Sequence, residues 1–378
     1  MDILKVMVIV GTRPEIIKLS EIIKKIDKYF CLILIHTGQN YDPQLSDIFF
    51  DELGIREPDK YLNVAGNNVG ETIGNVINKS YKVMLQYQPD AVLVLGDTNS
   101  CLSVIAAKRL KIPIFHMEAG NRCFDENLPE EVNRRIIDHV SDINLCYTEH
   151  ARRYLFAEGI RKETIFVTGS PMAEVLNNNI GNIEKSLVLK KMGLEAGKYI
   201  LLSAHREENM DIEKNFLSLM EAVNVLAEHY NLPIIYSCHP RSSKILKERN
   251  FKLHNNIKKH KPMGFFDYNA LQLNSMAVLS DSGTLAEESS FYQSIGKPIA
   301  AVSIRTSTER PEAVEKGNMI VAGIGKKEIM QATSLAVRMK KNNDNGNNVP
   351  DYLEDVSNKV VRIIQSYTGL VDRTIWKK

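Results

Sequence analysis

Val278-Leu-Ser-Asp-Ser-Gly-Thr-Leu-Ala-Glu-Glu-Ser-Ser290 reads as the end of a buried strand, a small polar turn and the start of a helix. Val278 and Leu279 carry the strand, Ser280 to Thr284 the turn, and Leu285 onward the helix, with Glu287 and Glu288 in its first turns. A helix N-terminus presents unpaired N–H groups and a partial positive charge, so Ser282, Gly283 and Thr284 have the means to hold a diphosphate with backbone donors. A glutamate one turn deeper can accept both hydroxyls of a ribose. The same residues also suit an ordinary capped helix, with Ser282 as N-cap and the glutamates favouring the positive helix end. Arg305-Thr-Ser-Thr-Glu-Arg-Pro-Glu312 follows another short apolar stretch and brings Arg310, a cation that plain capping does not need.

Outward from this stretch the same strand, turn and helix unit repeats. Apolar runs at Lys5–Val10, Leu32–Ile35, Ala91–Leu95, Pro113–Met117, Ile143–Cys146 and Ile165–Val167 alternate with helical patterns, among them residues 42–53 and 67–88. The pattern restarts with Tyr199–Ser203, Ile234–Ser237, Asn256–Lys259, Val278, Pro298–Val302 and Met319–Val321. Continuously apolar strands separated by helices indicate α/β architecture, with two Rossmann-like doubly wound parallel-sheet domains facing each other across a cleft. The 378 residues fit that count at about 150 per domain. The expected division is 1–172 and 173–350, with residues 351–378 containing a final helix. Between the halves, Glu174 to Leu194 reads as a polar helical bridge that Asn177-Asn-Asn179 breaks. Asn342 to Pro350 reads as a solvated loop.

A formal net charge of +2 gives no strong pull toward nucleic acid or an anionic membrane, so any anion site has to be local. No apolar run approaches the roughly 20 residues that cross a bilayer, and no signal-peptide pattern precedes the first strand; a cytoplasmic protein is expected. The five cysteines are scattered and lack a C-x-x-C pair, as in a reduced protein. The nine histidines show no metal-ligand spacing, so neither a metal nor another cofactor is expected.

Nearly every polar cluster follows a strand: Arg13, His36, Asp97, Glu118, His205, His239, Asp281 and Arg310. Ligands of open parallel sheets bind beyond the carboxyl ends of the strands, so chemistry is expected there. Gly11-Thr-Arg-Pro-Glu-Ile-Ile-Lys18 lacks both the dinucleotide fingerprint and the P-loop lysine pattern, which argues against a nicotinamide cofactor or ATP hydrolysis. Arg13 and Lys18 are candidate phosphate ligands. Glu118, with Asp97 at the adjacent strand end, reads as a paired acid in which one proton is shared. Glu130 and Arg134 lie four apart and share a helix face. Phe266 is a candidate platform for a base.

In these motifs the chain resembles the non-hydrolysing UDP-N-acetylglucosamine 2-epimerase family over nearly its whole length. The stretches that carry the resemblance include Gly11 to Lys18, Gly96-Asp-Thr98, Glu118-Ala-Gly120, Pro129-Glu-Glu-Val-Asn-Arg134, Ala204-His-Arg206, Asp281-Ser-Gly283 and Thr308-Glu-Arg-Pro-Glu-Ala313. The resemblance implies a glycosyltransferase-B-like fold, with residues 351–378 returning to the N-terminal domain. It implies that Asp97, Glu118, Glu130, Arg134 and His205 are catalytic. It also implies that Arg13, Lys18, His239, Phe266, Ser282, Gly283, Glu288 and Arg310 bind UDP. Asn121-Arg-Cys-Phe-Asp125, Met263-Gly-Phe-Phe-Asp-Tyr268 and Asp372-Arg-Thr-Ile-Trp-Lys-Lys378 are similar to the capsule and O-antigen branch. That branch converts UDP-2-acetamido-2,6-dideoxy-L-talose to UDP-N-acetyl-L-fucosamine.

The resemblance implies a UDP-2-acetamido sugar as substrate and a homodimer as assembly. A UDP-GlcNAc/UDP-ManNAc 2-epimerase, a UDP-sugar glycosyltransferase of the same architecture, and a silent sensor or hydrolysing relative are the competing readings. Which carboxylate removes the C2 proton stays open at this point, as does the direction of flux.

Overall fold

The computed structural model describes residues 3–39 and 43–378, with side chains from residue 48 onward in the second segment. Asn40 and Asp42 lie outside the described residues, and the helix expected from residue 42 is described as Pro43–Leu53. The chain divides into two compact units, Met1–Val175 with Pro350–Lys378, and Leu176–Val349.

In the first unit, seven strands form one sheet among the described residues: β1 Lys5–Val10, β2 Cys31–His36, β3 Lys60–Tyr61, β4 Ala91–Leu95, β5 Ile114–Met117, β6 Ile143–Cys146 and β7 Ile165–Val167. Their order is β3-β2-β1-β4-β5-β6-β7, and every pairing is parallel. The chain begins at β1, winds outward to β3, then returns past β1 to β4, so the winding reverses between β1 and β4. In such a sheet the strand ends at the reversal open onto the binding crevice. Helices cover both faces, which is why β1 and β4 are apolar on successive residues rather than alternating. The helix Arg13–Tyr29 starts with Pro14 in its first turn and buries Ile16, Leu19, Ile22, Ile23 and Ile26, a helical stripe against the core. The C-terminal helix Val356–Val371 packs against it in this same unit.

The second unit has six strands among the described residues: β8 Ile200–Ser203, β9 Ile234–Ser237, β10 Ile257–His260, β11 Ala277–Ser280, β12 Ala301–Ser303 and β13 Ile320–Val321. They are ordered β10-β9-β8-β11-β12-β13, again all parallel, with the reversal between β8 and β11. Ile200, Leu202, Phe216, Leu226, Ile234, Leu279 and Val302 belong to its core. The fold class is therefore α/β with two doubly wound parallel sheets.

Two local expectations are corrected. Asn177 to Asn179 do not break the bridge, because the helix Pro171–Glu184 runs straight through them. Asparagine inside a helix costs only a fraction of a kcal/mol, and buried Val175, Leu176 and Ile183 hold the turn in place. Ser282 is not the N-cap; the helix Thr284–Ser294 is capped at Gly283.

Candidate active site

At the reversal point of the first sheet, four neighbouring strands end in polar residues. β1 is followed by Gly11 to Arg13, β4 by Gly96 and Asp97, β5 by Glu118, and β6 by Tyr147. Glu118 has a left-handed backbone, φ 66°, a conformation that costs a non-glycine residue about 1–3 kcal/mol and clusters at functional sites. Gly120 follows at φ +79°, where an added Cβ would come within 2.4 Å of the Ala151 carbonyl oxygen. Glycine is therefore required at that turn.

The Lys18 ammonium donates to Glu118 Oε2 at 2.8 Å, and the Tyr147 hydroxyl donates to the same oxygen at 3.2 Å. Asn121 Nδ2 faces Oε1 at 3.4 Å. Lys18 also lies 5.5 Å from the centre of the Tyr147 ring. Asp97 is held separately. Arg134 reaches its Oδ2 through Nε at 2.8 Å and Nη2 at 2.7 Å, and Asn133 donates to its backbone carbonyl at 2.9 Å. Asp97 and Glu118, expected as a paired acid, thus each hold a cation, Arg134 on the one and Lys18 on the other. Glu130 and Arg134 share a face of the helix Pro129–Val140, four residues apart as expected. Arg134 Nη1 bonds Glu131 at 2.8 Å, and the fully buried Glu131 carboxylate also accepts the amides of Cys123 and Phe124. Burial pushes the Glu131 carboxyl up, but these donors outweigh it and hold it below the usual range. Glu130 itself is half-buried.

Beneath these loops runs a buried chain of charges. His116 on β5 sits 2.9 Å from the Gly96 carbonyl through Nε2 and 2.9 Å from Asp138 through Nδ1. Asp138 also accepts the Gly120 amide and pairs with Arg122 at 2.7 Å, while Arg122 forks onto Glu158 at 2.7 and 2.6 Å. The turns that carry Asp97 and Glu118 therefore share one rigid support.

Glu15 was not among the expected site residues. It is 2% exposed, and its Oε2 accepts the amides of Gly11 and Thr12 while Oε1 accepts the Thr98 hydroxyl at 2.5 Å. Burial raises its carboxyl from 4.5 to about 7 against these donors, and Asp97 adds to the rise. The folded protein then holds a proton that the unfolded chain releases between pH 4.5 and 7. Stability falls as pH rises through that window. We expect urea unfolding to show a loss of about 2 kcal/mol between pH 5 and pH 8. The loss should be absent in Glu15→Gln.

At the reversal point of the second sheet, Asp281 follows β11 and is fully buried. Its Oδ2 accepts the amides of His205 and Arg206 at 2.8 and 2.9 Å, and its Oδ1 lies 3.2 Å from His205 Nδ1. Ser203 Oγ lies 3.5 Å from the same ring nitrogen, so a carboxylate and a hydroxyl both face the Nδ1 side of His205. His239, the N-cap of the helix Pro240–Glu248, lies with its ring 6.4 Å from that of His205. Glu309 packs on Gly283, where a Cβ would come within 2.6 Å of Glu309 Oε1.

The Ser282 amide bonds Ser280 Oγ at 3.0 Å and the Thr284 amide bonds Ser282 Oγ at 3.4 Å, so the polar turn is organised by its own hydroxyls. Arg310 and Glu287 form a buried pair at 2.9 Å, and Gln272 donates to Glu288 at 2.6 Å. Phe266 is half-buried, edge-on to the buried Phe265. Arg13, also half-buried, begins its helix.

Tyr147 and Asp281 follow the rule that polar residues after strands mark the site. Tyr147 escaped because a tyrosine after an apolar strand reads as core. Glu15 escaped because a glutamate in the first turn of a helix reads as a favourable cap. We expect Tyr147→Phe to fold normally and to lower turnover about tenfold, the weight of one hydrogen bond to a charged group. Steady-state kinetics beside a thermal melt checks this.

Among the described residues there is no group of three or more His, Cys, Asp or Glu placed to hold a metal ion, and no helix is long and apolar enough to cross a membrane. Two doubly wound sheets with acids, cations and a helix N-terminus at their reversal points define a two-domain α/β enzyme. The comparisons narrow this. The family described as UDP-N-acetylglucosamine 2-epimerase matches residues 24–365. A UDP-N-acetylglucosamine 2-epimerase structure from Rickettsia bellii is 46% identical, with a TM-score of 0.91 and full coverage of both chains, 100% each. The Methanocaldococcus jannaschii UDP-GlcNAc 2-epimerase in complex with UDP-GlcNAc and UDP is 35% identical, with a TM-score of 0.88 over 96% of this chain and 99% of that one. The UDP-2,3-diacetamido-2,3-dideoxy-D-glucuronate 2-epimerase of Pseudomonas aeruginosa is 34% identical over 88% of this chain and 92% of its own. The chain belongs to the UDP-N-acetylglucosamine 2-epimerase family and is an isomerase.

Proposed function

We propose that the protein inverts carbon 2 of a UDP-2-acetamido sugar by eliminating UDP and adding it back. Carbon 2 of such a sugar has no adjacent carbonyl, so its proton is not acidic enough for direct exchange. Breaking the anomeric C–O bond expels UDP with the bonding pair, and loss of the C2 proton gives a 2-acetamidoglycal. UDP then re-adds at carbon 1 while a proton arrives at carbon 2 from the opposite face. The route needs two positioned acid/base groups, each worth about 10²–10⁴ in rate, and stabilisation of the departing diphosphate.

The observation that carries this reading is the pair of carboxylates at neighbouring strand ends, Asp97 on Arg134 and Glu118 on Lys18 and Tyr147. Glu118 meets donors on both oxygens, as suits a group that accepts a proton. We assign catalysis to Asp97, Glu118, Glu130, Arg134 and His205. We assign UDP binding to Arg13 and Lys18 in the first unit and to His239, Phe266, Ser282, Gly283, Glu288 and Arg310 in the second.

The substrate we propose is UDP-2-acetamido-2,6-dideoxy-L-talose, giving UDP-N-acetyl-L-fucosamine for capsule or O-antigen synthesis. Asn121, one of the residues that carries the likeness to that branch, touches the Glu118 carboxylate itself. The UDP-GlcNAc/UDP-ManNAc pair is the second reading, favoured by the UDP-GlcNAc bound in the Methanocaldococcus jannaschii relative. We further propose a cytoplasmic homodimer, with domain limits at 172 and 350 and residues 351–378 as the returning segment.

The test is incubation in deuterated water with the UDP-GlcNAc, 6-deoxy-L-talose and L-rhamnose forms, followed by proton NMR. Deuterium at C2 of an inverted product is expected, fastest with the 6-deoxy-L-sugars. Sugar transfer to an acceptor, release of free sugar, or no C2 exchange with any of them would overturn the reading. Faster exchange with UDP-GlcNAc would shift the assignment to the second sugar pair.

A further inference from the structure

We infer that Glu15 is a positioning residue whose carboxylate locks the Gly11–Arg13 turn to the Asp97–Thr98 turn and responds to the charge on Asp97. The inference deepens, and rests on, the proposed reading that Arg13 meets phosphate and Asp97 does proton chemistry. The two turns end β1 and β4, the strands that flank the reversal of the first sheet. No backbone ladder continues past the strand ends, so something else must hold the turns together. Glu15 spans them with Oε2 on the Gly11 and Thr12 amides and Oε1 on the Thr98 hydroxyl. Thr98 Oγ1 in turn accepts the Ser100 amide at 3.2 Å, and the Ser100 hydroxyl bonds both Thr37 and Gln39. The link thereby extends from β4 to the end of β2.

The charged and titratable groups facing Glu15 are Asp97 across the gap and the buried Cys101 thiol, whose sulfur lies 3.9 Å from Oε1. Both are acids, and burial holds the thiol neutral by raising it far above its usual range. Ionised Glu15 has three N–H and O–H donors for its two oxygens, besides the distant Cys101 thiol. Protonated Glu15 must instead donate from Oε1 to Thr98 Oγ1, which turns the threonine hydroxyl proton away. One proton therefore reverses the bond that joins the two turns, while the heavy atoms stay in place. Burial and Asp97 set this change near neutral pH.

Glu15→Gln imitates the protonated form. Its amide oxygen can accept from Gly11 and Thr12, and its amide nitrogen donates toward Thr98. For the wild type, we expect turnover to rise as pH increases through about 7. In Glu15→Gln the rise should disappear, with kcat held about five- to tenfold below the wild-type plateau, as a charge-assisted hydrogen bond becomes a neutral one, and KM little changed. A wild-type-like pH limb in Glu15→Gln would overturn the inference.

A second measurement does not depend on turnover. The Glu15 carboxyl carbon, followed by carbon-13 NMR in the intact protein, should titrate near pH 7 and at lower pH in Asp97→Asn. Titration near the ordinary 4.5, or no response to Asp97→Asn, would also overturn it. If no UDP-sugar is turned over, the proposed function fails while this titration still decides the role of Glu15.

Discussion

Asp97→Asn is expected to lower turnover by about 10²–10⁴ while leaving UDP affinity unchanged. Asparagine keeps the shape of the side chain and can still accept from Arg134, but it cannot exchange a proton. The substitution removes one carboxylate beside Arg134, and another, Glu131, is buried and remains bonded to it at 2.8 Å. The guanidinium thus keeps an anion, so a folding defect is not the expected cause of lost activity. Titration calorimetry with UDP and a C2-exchange assay on the same sample separate the two effects. Exchange within a few-fold of wild type would remove Asp97 from the chemistry.

Arg310→Ala is expected to destabilise the second unit by about 3–5 kcal/mol, because it takes the cation away from a carboxylate that water cannot reach. Arg310 is 1% exposed and Glu287 fully buried, with 2.9 Å between them. We also expect weaker UDP binding, since Arg310 is assigned to the nucleotide. The two roles separate in the combination of Arg310→Ala with Glu287→Gln. Removing the buried charge should restore part of the stability but none of the UDP affinity. Urea unfolding and calorimetry report these independently. Recovery of affinity together with stability would show that Arg310 acts through the fold alone.

Support from burial also explains why the proposed catalytic residues can occupy costly conformations. Glu118 sits at φ 66° at the end of β5, and the turn after it is held by the Gly120 amide on Asp138. Asp138 stays ionised although burial opposes it, because His116 and Arg122 hold its carboxyl below the usual range. Strain at Glu118 is thus offset by the buried network of His116, Asp138, Arg122 and Glu158.

Much of the architecture was written in local pattern. Apolar runs such as Ala91–Leu95 and Ile234–Ser237 are strands to the residue, since a strand covered on both faces has to be apolar throughout. Glycines and polar residues after those runs marked where the turns fall, and the order of motifs from Gly11 to Arg310 carried the family. Local pattern misled where its signal was weak, as at Asn177 to Asn179, whose mild helix penalty is overridden by neighbours that pack.

Pairing was decided only in three dimensions. Lys18 and Glu118 are 100 residues apart and meet because β1 lies beside β4 and β4 beside β5. Strand order of this kind leaves no trace in periodicity, so the sequence alone did not show that Arg134 meets Asp97 and Lys18 meets Glu118. Burial was decided the same way. Glu15 looks like a solvated first-turn glutamate in sequence, and only the closing of β1 against β4 removes it from water and moves its proton to neutral pH.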